Sequence, residues 1–338
     1  MFENINRNKN KKLIPIFCAT DDNYMPFLDV AMRSLKANAS KNYRYIVHVL
    51  NSGLKEENKA LVSTLNDDDF TIDFFDVTNF VEPFKNSFKN LYHFTVEMYY
   101  RIFIEKMFPQ YKKALYLDCD IVVLGDISKL YNTQLGNNLV GAIPCRIIAD
   151  HPILSRYGTD VCGIDHGKYF NSGVLVMNLD KFRQEKLVEK FIYLLSTYNF
   201  DIIDPDQAYL NALCRGKVKV LPNGWNKQAL DIPTEGNLNI IHYALYKKPW
   251  QYDDVINAEH FWKYAQMSPF YDKILEIKAN FDDVKKAQKD AANIEIIEHA
   301  ERILNIDKTF KNVLFKESNL LDKLDLDSVY NIEKPVEV

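Results

Sequence analysis

KALYLDCDIVVLGD, residues 113–126, is an apolar run that meets two carboxylates, Asp118 and Asp120, separated by one residue. The run reads as a buried strand. In an open α/β sheet, ligands bind beyond the carboxyl ends of the strands. Two carboxylates at i and i+2 there can converge on one hard cation, Mg²⁺ or Mn²⁺, if the backbone turns between them. Such an ion keeps other positions for phosphate oxygens. By itself the pattern is equally an acidic strand end, because short motifs carry a high false-positive risk.

Upstream, LIPIFCA (13–19) reads as a strand, followed by the polar turn Thr20-Asp21-Asp22-Asn23. Residues 26–38 and 54–65 carry helical spacing, with Pro26 suited to a first turn. YRYIVHVL (43–50) and FTIDFFDV (70–77) read as strands, and residues 95–108 as a helix ending before Pro109. Downstream, FNSGVLVMNL (170–179) and LNIIHYAL (238–245) read as strands and DQAYLNALC (206–214) as a helix. This alternation predicts an α/β domain with a largely parallel sheet. Residues 266–338 instead alternate charge and aliphatics at helical spacing, without glycine. The expected division is an α/β domain over 1–265 and a helical C-terminal appendage over 266–338.

Bulk properties narrow the classes. A chain of 338 residues, 47% hydrophobic and 13% aromatic, can build a substantial core. The net charge of −4 comes with no basic stripe, which argues against a nucleic-acid binder. Cys18, Cys119, Cys145, Cys162 and Cys214 are scattered without a CxxC, which fits a reducing compartment rather than a disulfide framework. No run of about 18 apolar residues occurs. The expectation is a cytoplasmic protein, at most peripheral to the inner face of a membrane. ATDDNYM after the first strand lacks the GxGxxG of a Rossmann dehydrogenase. A metal-dependent phosphohydrolase would carry its DxD at the end of the first strand rather than a later one.

Five motifs in order resemble glycosyltransferase family 8, the family of bacterial lipooligosaccharide galactosyltransferases and of glycogenin. They are ATDDNY (19–24), the Arg101 helix, LYLDCDIVV (115–123), YFNSGVLVMNL (169–179) with DQAYLN (206–211), and HYALYKKPW (242–250). The resemblance covers roughly residues 13–265 and implies a GT-A fold, a Rossmann-like nucleotide-sugar-binding sheet. It also implies a retaining transferase moving a hexose, glucose or galactose, from a UDP-sugar to a glycan, lipid-linked or protein-linked acceptor. The alternative is a UDP-sugar-binding protein without transferase activity, which would have lost the metal ligands or Gln207; all are present.

The resemblance places Ala19, Asp21, Asn23 and Tyr24 at the uridine, and Asp118, Asp120 and His242 on the metal. The mixed oxygen and nitrogen set favours Mn²⁺, with Mg²⁺ weaker. Arg101, Cys119, Asn171, Ser172 and Lys248 complete the donor site, with Lys248 at the diphosphate. Asp206 and Gln207 lie nearest the anomeric carbon, Asp206 holding sugar hydroxyls and Gln207 offering its carbonyl oxygen to developing positive charge. Two positions depart from the pattern. Leu245 stands where the family commonly has glycine, and Cys145 where it often has a sugar-binding Asp; Asp150 is the candidate replacement. In the tail, Lys285, Lys286 and Lys289 are offset by Asp282, Asp283, Asp290, Glu295, Glu298 and Glu301, which disfavours anionic lipid. Ile294, Ile296, Ile297 and Leu304 are therefore expected to pack on the catalytic domain or in a homo-oligomer.

Overall fold

A computed structural model describes residues 11–88, 96–245 and 247–315, together with residues 320 and 326. A seven-stranded sheet holds β3 (Phe70–Asp76), β2 (Tyr43–Asn51), β1 (Lys12–Ala19), β4 (Lys113–Leu117), β7 (Phe170–Asn178), β6 (Val140–Pro144) and β8 (Val218–Val220), in that spatial order. β7 is antiparallel to both its neighbours, while the pairings β3–β2, β2–β1, β1–β4 and β6–β8 are parallel. The mostly parallel sheet expected from the strand–helix alternation is therefore present, with one strand reversed at its centre.

The inner strands β1, β4 and β7 are covered on both faces, so they are buried almost continuously rather than at alternate positions. Side chains nonetheless alternate between two cores, as the pleat requires. Phe17, Leu175 and Met177 join one. Ile16, Cys18, Val174 and Val176 join the other, beneath the helix Met25–Asn38. All five cysteines are buried and unpaired.

The 113–126 stretch is not one strand. It breaks at the acid pair. β4 stops at Leu117, and β5 (Ile121–Val123) enters a separate three-stranded sheet with β10 (Ile240–His242) and β9 (Lys227–Gln228). The break is what makes Asp118-Cys119-Asp120 a turn. β10 is also shorter than the expected 238–245 strand; beyond it Leu245 takes a left-handed φ of 60°.

The C-terminal region is helical as far as residue 315, with Tyr271–Ala279 and Asp283–Ile303 as its longer segments; the rest of the expected 266–338 appendage, apart from residues 320 and 326, lies outside the described residues. It packs on both cores. Phe270 and Ile274 join the core under Met25–Asn38, whereas Ala300, Ile303, Phe310 and Leu314 join the other. Phe310 is fully buried with its ring centroid 4.1 Å from that of Phe200. Ile296, Ile297 and Leu304 pack against one of these cores, whereas Ile294 is 57% exposed on this chain. Among the described residues, no helix is long and apolar enough to cross a membrane.

Candidate active site

A cavity of about 380 Å³ opens at the carboxyl ends of β1 and β4. On one side lie Ala19, Thr20, Asp21, Asn23 and Tyr24. Asp21 shapes this loop, accepting from the Tyr24 backbone N–H at 2.9 Å and the Asn23 amide at 3.0 Å. Asp22 turns away, accepting from Lys55 N–H and from Asn58 at 2.7 Å. The Cys119 thiol lies 3.2 Å from the Ala19 carbonyl and joins the loop to the acid turn.

The centre of the cavity holds Asp118, Asp120 and His242, whose ligand atoms all lie within 4.8 Å of one another. Pairing of β10 with β5 sets His242 opposite Ile121, beside Asp120. Asp120 is also pinned by its own carbonyl, which accepts from Tyr243 N–H at 2.9 Å. His242 Nε2 is 3.0 Å from Asp120 Oδ1 and 3.6 Å from Asp118 Oδ2. Lys248 Nζ contacts Asp120 Oδ2 and donates to the Tyr243 carbonyl at 2.8 Å. Burial would raise the Asp120 pKa, but Lys248 and His242 outweigh it and hold the carboxyl well below the usual range. Burial would lower Lys248, but Asp120 outweighs it and pushes the ammonium up to about 12.

A chain of amides fixes which imidazole nitrogen faces the carboxylates. Gly173 N–H must donate, and it does so to Asn171 Oδ1 at 3.1 Å. Asn226 Nδ2 donates to the same oxygen at 2.8 Å, so Asn226 Oδ1 faces His242 Nδ1 at 2.8 Å. Nδ1 therefore carries a proton, and Nε2 is the nitrogen turned to the acid pair. Nε2 is thus the atom that would ligate a cation, with Asn226 as the orienting partner that metal-bound histidines usually have. Replacing Asn226 with Ala is expected to weaken Mn²⁺ binding about 10- to 100-fold. Calorimetry with Mn²⁺ checks this; unchanged affinity rules out the orienting role.

Gly173 shows that the pocket is shaped around these groups. A Cβ there would lie 2.3 Å from Asp118 Oδ2 and 2.4 Å from His242 Cε1. The donor set, two carboxylates and an imidazole in a space closed to any side chain, fits a divalent cation with Mn²⁺ or Mg²⁺ chemistry.

Arg101 is buried beneath this centre. Its Nη2 lies 3.0 Å from Asp118 Oδ1 and its Nε 3.1 Å from Asp206 Oδ2. Nη1 donates to the Ser172 carbonyl at 2.7 Å and to its hydroxyl at 3.1 Å. Burial works against its charge, but the carboxylates outweigh burial and keep it a cation. Its ion pairs are thus with Asp118 and Asp206, not with the helical neighbour Glu97. Asp206 is fully buried behind the wall, and its Oδ1 has no hydrogen-bond partner among the described residues.

Gln207 reaches the wall, but its amide is held at both ends. Oε1 accepts from Ser172 N–H at 3.0 Å and from Asn171 at 3.2 Å, and Nε2 donates to Asp204 at 2.8 Å. The carbonyl is therefore a fixed dipole rather than a free acceptor. Cys145 is buried, and Asp150 does not take its place: it pairs with Arg146 at 2.7 Å on a surface turn. Leu245 lines the cavity with the left-handed backbone that a glycine adopts freely, at a cost of about 1–2 kcal/mol for a residue with a Cβ. Sequence reasoning missed Gly173, Asn226, Asp204 and Asn293, and it read Ile296 as a packing residue only; Asn293 and Ile296 bring the C-terminal helix into the cavity wall. The glycine in FNSG was the one local signal available.

The family profile described as glycosyl transferase family 8 matches residues 15–254. The chain belongs to that family. It is 28% identical over 211 residues to a putative glycosyltransferase of Haemophilus influenzae, covering 62% of each chain. It is 30% identical to the lipopolysaccharide 1,2-glucosyltransferase of Escherichia coli K12, covering 57% of this chain and 60% of that one. The chain thus spans about three-fifths of the length of these two relatives. Among solved structures, an active-site mutant of LgtC is 28% identical with a TM-score of 0.64, covering 76% of this chain and 96% of that one. The galactosyltransferase LgtC with donor and acceptor sugar analogs is 26% identical, with a TM-score of 0.62, again covering 76% of this chain and 96% of that one. This family 8 chain therefore has the GT-A-like architecture expected from its motifs, with a helical C-terminal region.

Proposed function

We propose that this chain is a retaining hexosyltransferase that uses a UDP-hexose and Mn²⁺. The observation that carries the reading is the convergence of Asp118, Asp120 and His242 Nε2, with Lys248 beside them, in a cavity walled by the Asp21–Tyr24 loop. The loop offers an aromatic face and polar groups for uracil and ribose. Asp118, Asp120 and His242 would hold the cation, which when bound neutralises diphosphate charge. Lys248 adds a second cation where charge builds on the departing UDP. Gln207 is a poor nucleophile, and Asp206 is buried beneath Arg101 and Ser172. Both favour front-face substitution over a covalent glycosyl-enzyme: the acceptor hydroxyl approaches from the side on which UDP leaves. The acceptor is a glycan, lipid-linked or protein-linked hydroxyl, reached from the cavity mouth. We assign residues 1–265 to catalysis and residues 266–338 to a C-terminal region whose described part is helical and packed on both cores.

UDP release from a panel of UDP-hexoses with Mn²⁺ is the direct test. One hexose is expected to give turnover that stops on exhaustive chelation and returns with Mn²⁺, more weakly with Mg²⁺. NMR of the transferred sugar is expected to show an α-linkage. Full activity after chelation overturns the metal dependence, and a β-linkage overturns retention. Binding of UDP-hexose with no hydrolysis or transfer would favour the non-catalytic binding protein.

A further inference from the structure

Asp204 stands apart from the other acids at the heart of the cavity. Asp118 and Asp120 face Arg101, His242 and Lys248. Asp204 lines the same cavity at 7% exposure and is held by neutral donors. Tyr157 donates to Oδ1 at 2.9 Å, and Tyr169 donates to Oδ2 at 2.6 Å. Gln207 Nε2 donates to Oδ2 at 2.8 Å. An ionised carboxylate offers about four lone-pair sites. Three are taken, and the remaining one is on Oδ1.

A buried carboxylate without a cation is costly unless its hydrogen bonds are complete. Two tyrosine hydroxyls, both on buried rings, are committed to this one group. Burial raises its pKa to about 7 against those hydrogen bonds, and the nearby Asp206 charge adds to the rise. One more hydroxyl donor at Oδ1 would complete the set. Gln207, its direct partner, is the residue the family resemblance sets nearest the sugar, and Asp204 lies three positions before it and lines the same cavity.

We propose that Asp204 binds a hydroxyl of the transferred hexose and helps to select which hexose is donated. This rests on the UDP-hexose reading above. The two tyrosines hold the carboxylate in place, and the sugar hydroxyl supplies the missing donor. An axial and an equatorial hydroxyl cannot both reach one fixed oxygen, so a contact of this kind separates epimers.

Calorimetry with Mn²⁺ tests it, using UDP, UDP-glucose, UDP-galactose and their monodeoxy analogues against the unmodified chain and Asp204→Asn. UDP should bind both proteins within about twofold. The preferred UDP-hexose should bind Asp204→Asn about 10- to 100-fold more weakly, the range for a hydrogen bond to a charged group. The analogue lacking the contacted hydroxyl should bind both proteins equally. If UDP-hexose affinity is unchanged in Asp204→Asn and only turnover falls, Asp204 merely positions Gln207 and the proposal fails. Should that variant not fold, the unmodified chain decides: if none of the monodeoxy analogues binds it more weakly than the parent UDP-hexose, the proposal fails. If the unmodified chain binds no UDP at all, the nucleotide-sugar reading fails instead.

Discussion

Gly173→Ala is expected to lower turnover about 10- to 100-fold, because one added methyl displaces Asp118 and His242, two of the candidate cation ligands. The new Cβ would stand 2.3 Å from Asp118 Oδ2 and 2.4 Å from His242 Cε1, far inside van der Waals contact. Neither neighbour can retreat. Asp118 is tied to Arg101 at 3.0 Å, and its N–H donates to the Gly173 carbonyl at 2.8 Å. His242 is tied to Asn226 at 2.8 Å. The strain must therefore appear as a shift of the two ligands relative to each other. Stability should fall by only about 1–3 kcal/mol, the usual cost of overpacking. The measurements are UDP release with saturating Mn²⁺, Mn²⁺ affinity by calorimetry, and urea unfolding. A variant with unchanged Mn²⁺ affinity and full turnover would show that the ion is held elsewhere.

Arg101→Met should cost about 3–5 kcal/mol of stability, the range for breaking a buried ion pair by removing one partner. The guanidinium is 2% exposed and compensates two carboxylates at once, and Asp206 is fully buried. Asp206 already has one oxygen without a hydrogen-bond partner among the described residues. Without Arg101 its charge has no compensation, and the group must take up a proton or draw in water. The melting temperature is expected to drop on the order of 5–10 °C. Adding Asp206→Asn should restore part of the loss, because the two sites are in contact and their effects do not add. Urea midpoints of the two single variants and the double variant form the cycle. Additive losses, or an Arg101→Met variant within about 1 kcal/mol of the parent, would mean that the pair does not carry this energy.

The strands and helices were legible because each had its own period and its own breakers. β1, β2, β3 and β7 appear within a residue of their expected ends. Two segments were read too long, and both lie at the site. The 113–126 run looks like one strand because its residues are apolar on both sides of the acids. Only competition between two sheets for β4 and β5 shows that the chain turns there. The 238–245 run fails in the same way, since nothing local in its sequence announces the left-handed Leu245.

The sequence by itself determined the α/β class, the acid pair, the histidine and the lysine, and with them the family. These features are local in the chain: a hydrophobic period, a motif, or a spacing of a few residues. Tertiary structure alone decided which groups serve others. Asn226 orients His242, Asn171 orients Asn226, and Asp204 holds Gln207. It also joined Arg101 to Asp118 and Asp206, left Asp150 on the surface, and brought Asn293 and Ile296 of the C-terminal helix into the cavity wall. The physical reason is that hydrogen bonds and buried charges are satisfied between residues far apart in the chain. Asn226 and Asn171 are separated by 55 positions, and Arg101 lies 71 positions from Ser172. No period in a single sequence encodes such a pairing; the packed sheet that brings the partners within 3 Å does.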